Sequence, residues 1–220
     1  MDNHELVMRF YTDIYNNGEF FTDLNGLQMS RRKYYDKIPI QGNVYPMPTI
    51  MYFEDDKTRM NILSAQPLGT TNRHSGVVDV FLDRRLMQDD ERGLAQGVKD
   101  NRLTVETFKV LLETKPFESE KASLKSQIDS LKQLNPVYLM QSETRQSKSE
   151  ISFVPCDVHL LNLRKIKTET NESDEFSLFF HRFGTSCDSN CEFNSLRLGE
   201  LFKDAIVNNL EQTASHKKKK

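Results

Sequence analysis

The sequence predicts a mainly β protein, a β-sandwich interrupted by one amphipathic helix. Between residues 4 and 110, short runs of alternating apolar residues are separated by turn residues roughly every ten positions, which is the rhythm of a sandwich. Residues 119–134 break this rhythm, because their apolar side chains recur at helical intervals. We therefore expect a β-sandwich with one inserted helix and a second, C-terminal helix.

The first β-rich portion contains the candidate strands 6–15, 19–22, 27–35, 44–53, 60–64, 77–82 and 107–112. Apolar residues tend to alternate within these runs, as they do when one face of a strand is buried. Residues 16–18 (Asn-Asn-Gly) and 25–26 (Asn-Gly) predict tight turns, because asparagine and glycine accept the positive φ that such turns require.

The inserted helix is predicted from Leu124, Ile128, Leu131 and Leu134, which follow one another at intervals of four, three and three residues. Lysine, serine, glutamine and aspartate fill the positions between them, so the helix is amphipathic. Pro136 ends it, since proline lacks an amide proton and disfavours helix in the residue before it. The polar stretch 141–150 that follows predicts a solvent-exposed loop.

A second β-rich portion follows this loop. Its candidate strands are residues 151–154, 158–166 and 176–183, and its candidate terminal helix is residues 198–210. The predicted organisation is a sandwich part at 1–113, the helix and polar loop at 114–150, a second β-rich part at 151–216 and a basic tail at 217–220. We expect this tail of lysines to be an artefact, because a run of adenines at the end of a truncated transcript would encode it.

Charge and hydropathy exclude two classes of partner. Thirty basic residues stand against 32 acidic ones and leave a formal net charge of −2, so no global field recruits nucleic acid or an anionic membrane. No run approaches the roughly 20 apolar residues of a membrane span, and we expect no membrane contact by this segment. The N-terminal residues also lack the basic-then-apolar order of a signal peptide, so we expect the chain to be a piece of a longer protein.

Cysteine and histidine give no metal site. The 3 cysteines are too few for a disulfide scaffold and lack the paired spacing of a zinc module, and the 5 histidines are scattered. Cys187 and Cys191 could bridge in an oxidising lumen and would be two ordinary thiols in a cytosol. Cys156 is expected to be a small buried hydrophobe. Asn171 begins an Asn-X-Ser sequon in a polar stretch.

The most unusual segment is residues 83–97, which concentrates charged and amide side chains directly after the apolar run 77–82. A strand that delivers such a loop can direct polar groups into a cleft. The fixed fork of arginine recognises carboxylates and sugar hydroxyls with defined direction, so Arg84 and Arg85 are candidates for site support. The alternative is a solvated loop in which acidic and basic side chains pair with one another.

Asp89, Asp90 and Glu91 are adjacent on this segment and do not predict a hydrolytic centre. Glycoside hydrolysis needs two carboxyls on opposite sides of the scissile bond, about 5 Å apart in retaining enzymes, and neighbours on one loop seldom converge in that way. A nucleophile elbow, a phosphate loop and a Rossmann glycine pattern are also absent from the sequence. The residues alone therefore predict a stand-alone carbohydrate-binding or structural β-domain.

A resemblance to a known family rests on four motifs in series, at residues 21–26 (Phe-Thr-Asp-Leu-Asn-Gly), 37–47, 63–69 and 83–101. In order and spacing they resemble the C-terminal half of the class II α-mannosidases, glycoside hydrolase family 38. The likeness is strongest over residues 5–113, with weaker continuations at 156–164 and 181–182. Residues 86–97 are more similar to the Golgi type of this family than to the lysosomal type.

The resemblance implies a retaining, zinc-dependent α-mannosidase that removes α-linked mannose from N-glycans in the Golgi lumen, with the lysosome as the alternative compartment. In this family the N-terminal domain holds the zinc and the catalytic aspartates. The resemblance therefore implies that the present chain is inactive by itself. Its implied partners are that N-terminal catalytic domain, on which the β-sandwich of the C-terminal type packs, and the N-glycan substrate.

The resemblance also implies a role for the arginine pair. A loop arginine of the family reaches the substrate pocket, and by motif it falls on Arg84 or Arg85. The other arginine would anchor the loop through Asp83, Asp89 or Asp90.

The lumenal setting implied by the resemblance bears on three further residues. There, Cys187 and Cys191 would form a disulfide while Cys156 stays reduced and buried. In the same compartment the sequon at Asn171 would be available for N-glycosylation.

Overall fold

The computed structural model describes residues 3–87, 93, 97, 102–114, 120–138, 157–166 and 175–183. The chain divides into two compact units, Met1–Met140 and Gln141–Lys220. The first unit contains a short 3-10 helix at Ile40–Asn43 and the α-helix α1 (Leu124–Leu134). Its strands are β1 (His4–Tyr11), β2 (Glu19–Leu24), β3 (Gln28–Lys33), β4 (Tyr45–Met47), β5 (Ile50–Glu54), β6 (Thr58–Ser64), β7 (Leu68–His74), β8 (Val77–Arg85) and β9 (Phe108–Thr114).

These strands form two antiparallel sheets, one of four strands in the order β1-β8-β7-β4 and one of five in the order β3-β2-β5-β6-β9. One buried core joins them, with Met51, Phe53 and Ile62 from the five-stranded sheet and Val78 and Val80 from the four-stranded sheet. Since side chains alternate along a strand, the two valines lie on one face of β8. The first unit is therefore a β-sandwich, as the sequence predicts.

The outer face of the five-stranded sheet is covered as well. Tyr52 is buried there together with Ala122 of the segment that precedes α1. Arg59 is also fully buried, with Cζ 4.2 Å from the centroid of the Tyr52 ring and Nη2 2.5 Å from Glu54 Oε2. Its Nη1 donates to the carbonyl of Lys121 at 2.9 Å. A paired buried charge thus holds the segment before α1 on this face.

The helix α1 is present as predicted, but its polar side faces the sheet. It begins after Ser123, whose side chain accepts a hydrogen bond from the amide of Ser126 at 3.0 Å, and it ends at Leu134 before Pro136. Ser126 and Ser130 are buried, whereas Leu124, Ile128 and Leu131 are only partly buried and Leu134 is 38% exposed. An amphipathic pattern ordinarily indicates that the apolar side is buried. In α1 the buried positions are polar, and the apolar side chains are only partly buried.

Besides shifts of strand ends, two differences from the sequence prediction concern which strands exist. The run 44–53 is divided into β4 and β5, because the chain bends at Pro48 and Thr49 and passes from one sheet to the other. β7 has no counterpart among the predicted strands, since its buried residues include the polar Thr70 and Asn72. Thr70 Oγ1 donates to a carbonyl of β8 at 2.9 Å and Asn72 Nδ2 to another at 2.8 Å, so these two buried side chains are hydrogen-bonded.

The two predicted turns have different roles. Asn25 (φ 56°) and Gly26 (φ 72°) connect β2 to β3 within one sheet. Asn17 (φ 50°) and Gly18 (φ 72°) lie between β1 and β2, which belong to different sheets. The second turn therefore carries the chain across the sandwich.

In the second unit the described residues form an antiparallel hairpin of β10 (Val158–Ile166) and β11 (Glu175–Arg182). Both strands lie where the sequence predicts them. At the base of the hairpin, Asp157 Oδ2 accepts hydrogen bonds from Arg182 Nη2 at 2.8 Å and Nε at 3.0 Å. The predicted strand 151–154, the terminal helix 198–210 and the tail 217–220 lie outside the described residues.

Candidate functional site

β8 carries the arginine pair at its C-terminal end. The strand continues through Arg85, beyond the predicted end at Leu82, so both arginines belong to the sheet rather than to a loop. β1 pairs with this end, with Glu5 opposite Arg84 and His4 opposite Arg85. Strand geometry therefore decides which way each side chain points.

The two arginines lie on opposite faces of the four-stranded sheet. The pairing of β1 with β8 shifts in register near Leu6, so that Leu6 lies opposite Asp83. Met8 packs against the sandwich core, and alternation along β1 places Leu6, and with it Asp83, on the same inner side. It follows that Arg84 lies on the outer side and Arg85 on the inner side, toward the five-stranded sheet.

Arg84 is held on the outer side by a cross-strand ion pair. Its Nη2 lies 2.9 Å from Glu5 Oε1, and its backbone amide donates to Asp83 Oδ1 at 2.7 Å. Both side chains of the ion pair are largely exposed to solvent. Such a pair stabilises a fold by roughly 0–1 kcal/mol, so its effect is mainly to orient the guanidinium.

Asp83 has an acidic neighbour from the opposite sheet. Burial raises the pKa of Glu106, which precedes β9, and the negative charge of Asp83 raises it further, while a hydrogen bond from Gln66 lowers it in part. The interaction agrees with the inward direction of Asp83. We call Asp83, Gln66 and Glu106 the strand-end cluster.

The strand-end cluster contains groups that bind sugar hydroxyls, namely two carboxylates and an amide. Sequence reasoning identifies Asp83 and misses the other two members. Gln66 lies inside the motif at 63–69, which is a signal for it, whereas nothing in a single sequence brings Glu106 to β8. Glu5, the partner of Arg84, is likewise visible only once the register of β1 is known.

The other predicted site residues lie outside the described residues; they are Asp89, Asp90, Cys156, Asn171, Cys187 and Cys191. Within the part of the chain that the structure describes, no three His, Cys, Asp or Glu side chains are grouped so that they could hold a metal ion. No helix among the described residues is long and apolar enough to cross a membrane.

Comparison with known proteins identifies the sandwich. Residues 1–92 match the family model "Glycosyl hydrolases family 38 C-terminal domain". The chain is 42% identical over 228 residues to "Alpha-mannosidase 2" of Homo sapiens, a match that covers 94% of this chain and 20% of the relative. It is 39% identical over 241 residues to "Alpha-mannosidase 2x" of Mus musculus, covering 96% of this chain and 21% of the relative. Over 113 residues it is 48% identical to "Alpha-mannosidase 2" of Drosophila melanogaster, a match that covers 51% of this chain and 10% of the relative.

The chain therefore belongs to glycosyl hydrolases family 38, through a C-terminal domain of mainly β structure. Within the family it is similar to the proteins named α-mannosidase 2 over nearly its whole length. The resemblance that the four motifs indicate is confirmed. The chain spans only about a fifth of the length of the relatives that it matches over most of its own residues.

Proposed function

We propose that the chain is the C-terminal portion of an α-mannosidase that hydrolyses α-linked mannose of N-glycans, a retaining, zinc-dependent enzyme of the Golgi type. The observation that carries this proposal is the 42% identity to an α-mannosidase 2, which extends over 94% of the chain. The proposed compartment is the Golgi lumen, with the lysosome as the alternative. The proposed partners are the N-terminal catalytic domain of the same enzyme and the N-glycan substrate.

In this proposal the chain supports catalysis without performing it. Following the family resemblance, we assign the zinc to the N-terminal domain and derive no step through it. The chain contributes a packed β-sandwich and a polar cluster at the end of β8.

Arg85 is the arginine that we propose to support the substrate. Arg84 is directed to the outer side by its ion pair with Glu5, whereas Arg85 shares the inner side with Asp83. Arg84 and Asp83 then stabilise the strand end from which the following segment departs, since the Asp83 carboxylate accepts from the Arg84 amide. Asp89 and Asp90 remain proposed supports of that segment.

Two observations test the proposed function. The coding sequence upstream of residue 1 should encode, in frame, a domain with paired Asp and His ligands for zinc. A stop codon closely preceding residue 1 would instead favour the alternative, a stand-alone carbohydrate-binding or structural β-domain. In the second test, the purified 220-residue chain should not turn over a chromogenic α-mannoside when zinc is supplied, whereas the complete parent enzyme should. Turnover by the isolated chain would contradict the assignment.

A further inference from the structure

Two turns of the sandwich share the sequence Asn-Gly and the same backbone conformation. We call residues 16–19 the crossing turn and residues 24–27 the hairpin turn. Asn17 and Gly18 have φ values of 50° and 72°, and Asn25 and Gly26 have φ values of 56° and 72°. In each turn the amide after the glycine donates to the carbonyl before the asparagine, at 2.9 Å in the crossing turn and 3.0 Å in the hairpin turn. Both are therefore type I′ turns, in which the two central residues have positive φ.

An asparagine that is followed by glycine can lose its side-chain amide. The backbone nitrogen of the glycine gives its proton to solvent and attacks Cγ of the asparagine, and ammonia leaves as the new C–N bond closes a five-membered succinimide ring. Water then opens the ring at either carbonyl, which leaves aspartate or isoaspartate. Glycine favours the attack because it has no Cβ to hinder it. Asn17 and Asn25 are both exposed to solvent, so both meet this chemical requirement.

The type I′ conformation does not allow this ring to close. Closure requires the glycine nitrogen to lie on the same side of the Cα–C bond as the asparagine Cβ, with an asparagine ψ of about −120°, as in a type II′ turn, whereas ψ is about +30° in a type I′ turn. Rotation of the central peptide plane converts one turn into the other and keeps the hydrogen bond between the turn ends. The rotation also reverses the direction of the glycine N–H. An acceptor that holds this N–H therefore opposes the reaction.

In the hairpin turn, Asp23 is such an acceptor. Gly26 N donates to Asp23 Oδ2 at 2.6 Å. The Asp23 carboxylate is buried and is fixed by hydrogen bonds from the amides of Thr49 and Ile50, each at 2.9 Å. Rotation of the peptide between Asn25 and Gly26 would break a charge-assisted hydrogen bond at this carboxylate. The hairpin turn is thus held in the conformation that does not react.

In the crossing turn, the ends are fixed and the central peptide is not. Asn16 Nδ2 donates to the carbonyl of Glu19 at 2.6 Å, and Asn16 Oδ1 accepts from the amide of Gly76 at 2.9 Å. The turn therefore stays anchored to the sandwich. Among the described residues, the Gly18 amide has no hydrogen-bond acceptor, and no atom lies within 4 Å of the position that a Cβ on Gly18 would take. The peptide between Asn17 and Gly18 rotates without the loss of a hydrogen bond within this part of the chain.

We propose that Asn17 is a deamidation site, at which the side chain converts to aspartate and isoaspartate, and that Asp23 protects Asn25 from the same reaction. The proposal is independent of the proposed function, because it concerns only two turns of the sandwich. Isoaspartate at position 17 would add one backbone carbon directly beside the Asn16 anchor. The modification would therefore alter the turn that carries the chain from one sheet to the other.

Peptide mapping of the folded 220-residue chain, after incubation in neutral buffer, tests the proposal. Cleavage after Glu19 places Asn17 and Asn25 in separate peptides, and fragmentation assigns the mass gain of an amide-to-acid conversion to one residue. We expect Asn17 to convert at least about tenfold faster than Asn25, the factor that corresponds to one charge-assisted hydrogen bond. In urea-unfolded chain the two rates should be similar, because the hydrogen bond to Asp23 is absent there. Equal rates in the folded chain, or no conversion at Asn17, would overturn the proposal.

Asp23→Asn tests the protective role. The asparagine amide can keep its oxygen toward Thr49 and Ile50, and its NH2 group then stands where the acceptor of the Gly26 amide was. We expect conversion at Asn25 to rise at least about tenfold in this variant and conversion at Asn17 to be unchanged.

Asp13→Asn, at an exposed aspartate, is the matched control and should leave both rates as in the parent chain. Circular dichroism shows whether each variant is folded. A folded Asp23→Asn variant in which Asn25 converts as slowly as in the parent chain would overturn the protection by Asp23. If that variant does not fold, the comparison of Asn17 with Asn25 in the folded parent chain decides the proposal.

Discussion

Arg84 and Arg85 are adjacent in the sequence and have the same charge, yet the pleat of β8 gives them different surroundings. Arg84 meets Glu5 across the outer side of the sheet, and Arg85 follows Asp83 on the inner side. A guanidinium that hydrogen-bonds a substrate contributes more than one that joins a solvated ion pair, because the first bond is made where water is excluded. The two side chains should therefore differ in function.

In the complete parent enzyme, Arg85→Ala should lower kcat/KM for an α-mannoside by about one to two orders of magnitude, since a charge-assisted hydrogen bond contributes roughly 1.5–3 kcal/mol. Arg84→Ala is the matched control and should stay within about threefold of the parent. Steady-state kinetics on both variants, each checked for unchanged zinc content, measures the difference. Parental kcat/KM in both variants would show that the pair is only a surface ion-pair cluster.

Asp23, in the family motif at residues 21–26, stabilises the fold through buried hydrogen bonds. It is 1% exposed, and its carboxylate accepts hydrogen bonds from the amides of Gly26 at 2.6 Å, Thr49 at 2.9 Å and Ile50 at 2.9 Å, and from the Thr49 hydroxyl at 2.8 Å. The motif at 21–26 thereby ties the β2–β3 turn to the start of β5. These contacts of Asp23 are structural.

Asp23→Ala should destabilise the 220-residue chain by about 3–5 kcal/mol, because it leaves several buried donors without an acceptor. Urea unfolding followed by circular dichroism measures the change. Asp13→Ala, at an exposed position on the same sandwich, should stay within about 0.5 kcal/mol of the parent chain. A similar loss of stability in both variants would mean that the hydrogen bonds to Asp23 contribute no more to stability than an exposed aspartate does.

At the scale of elements, sequence patterns predict the strands that bury apolar residues and miss the one that buries polar residues. β8 is visible because Val78 and Val80 alternate with other residues, whereas the buried Thr70 and Asn72 of β7 resemble a polar loop until their hydrogen bonds to β8 are seen. The existence of α1 follows from its apolar spacing. Its orientation does not, because the sheet receives small and polar side chains such as Ser126.

The attachment of α1 should depend on pH through Asp129. Burial alone raises the pKa of this carboxyl, but hydrogen bonds from Lys109 and Lys125 outweigh burial and lower it below its ordinary value. Because the pKa of Asp129 is lower in the folded chain than the value of about 3.9 in the unfolded chain, the ionised carboxylate stabilises the fold at pH values above about 3.9. This stabilisation is lost as the pH falls through the folded-state pKa. Protonation should therefore loosen the helix from β9.

Hydrogen exchange of the α1 amides, corrected for intrinsic rates, should show this loosening between pH 5 and about pH 3 in the parent chain. In Asp129→Asn the helix should already exchange faster at pH 5 and gain little on acidification. Ser123→Ala provides a comparison, since removing the N-cap weakens the helix by about 1 kcal/mol without a titratable group. The same pH dependence in the parent chain and Asp129→Asn would exclude Asp129 as the cause.

At the scale of the whole molecule, the two-sheet sandwich and the family follow from the sequence, while the strand-end cluster does not. The four motifs lie in the first unit and predict its family. Gln66, Asp83 and Glu106 come together only through the packing of two sheets, which a periodic pattern does not encode. The hairpin of the second unit was accessible to sequence reasoning because its apolar runs are bounded by polar stretches.

We also predict that, in a secretory host, Cys187 and Cys191 form a disulfide and Cys156 stays reduced. The ring is small, so its stabilisation should fall at the low end of the roughly 2–4 kcal/mol usual for disulfides. Thiol counting on denatured, unreduced protein should find one free thiol per chain. Three free thiols would refute the bridge.

The pairing of β1 with β8 has a consequence for synthesis on the ribosome. Arg9 and Asp79 form an ion pair between residues that are 70 positions apart, and among the described strands β1 pairs with β8 alone. At about 5–20 residues per second, β1 would wait roughly 4–14 s for β8 to be translated. During that interval Met8 and Phe10 lack their cross-strand neighbours Val80 and Val78, so the nascent strand has an unpaired edge that is open to wrong pairing.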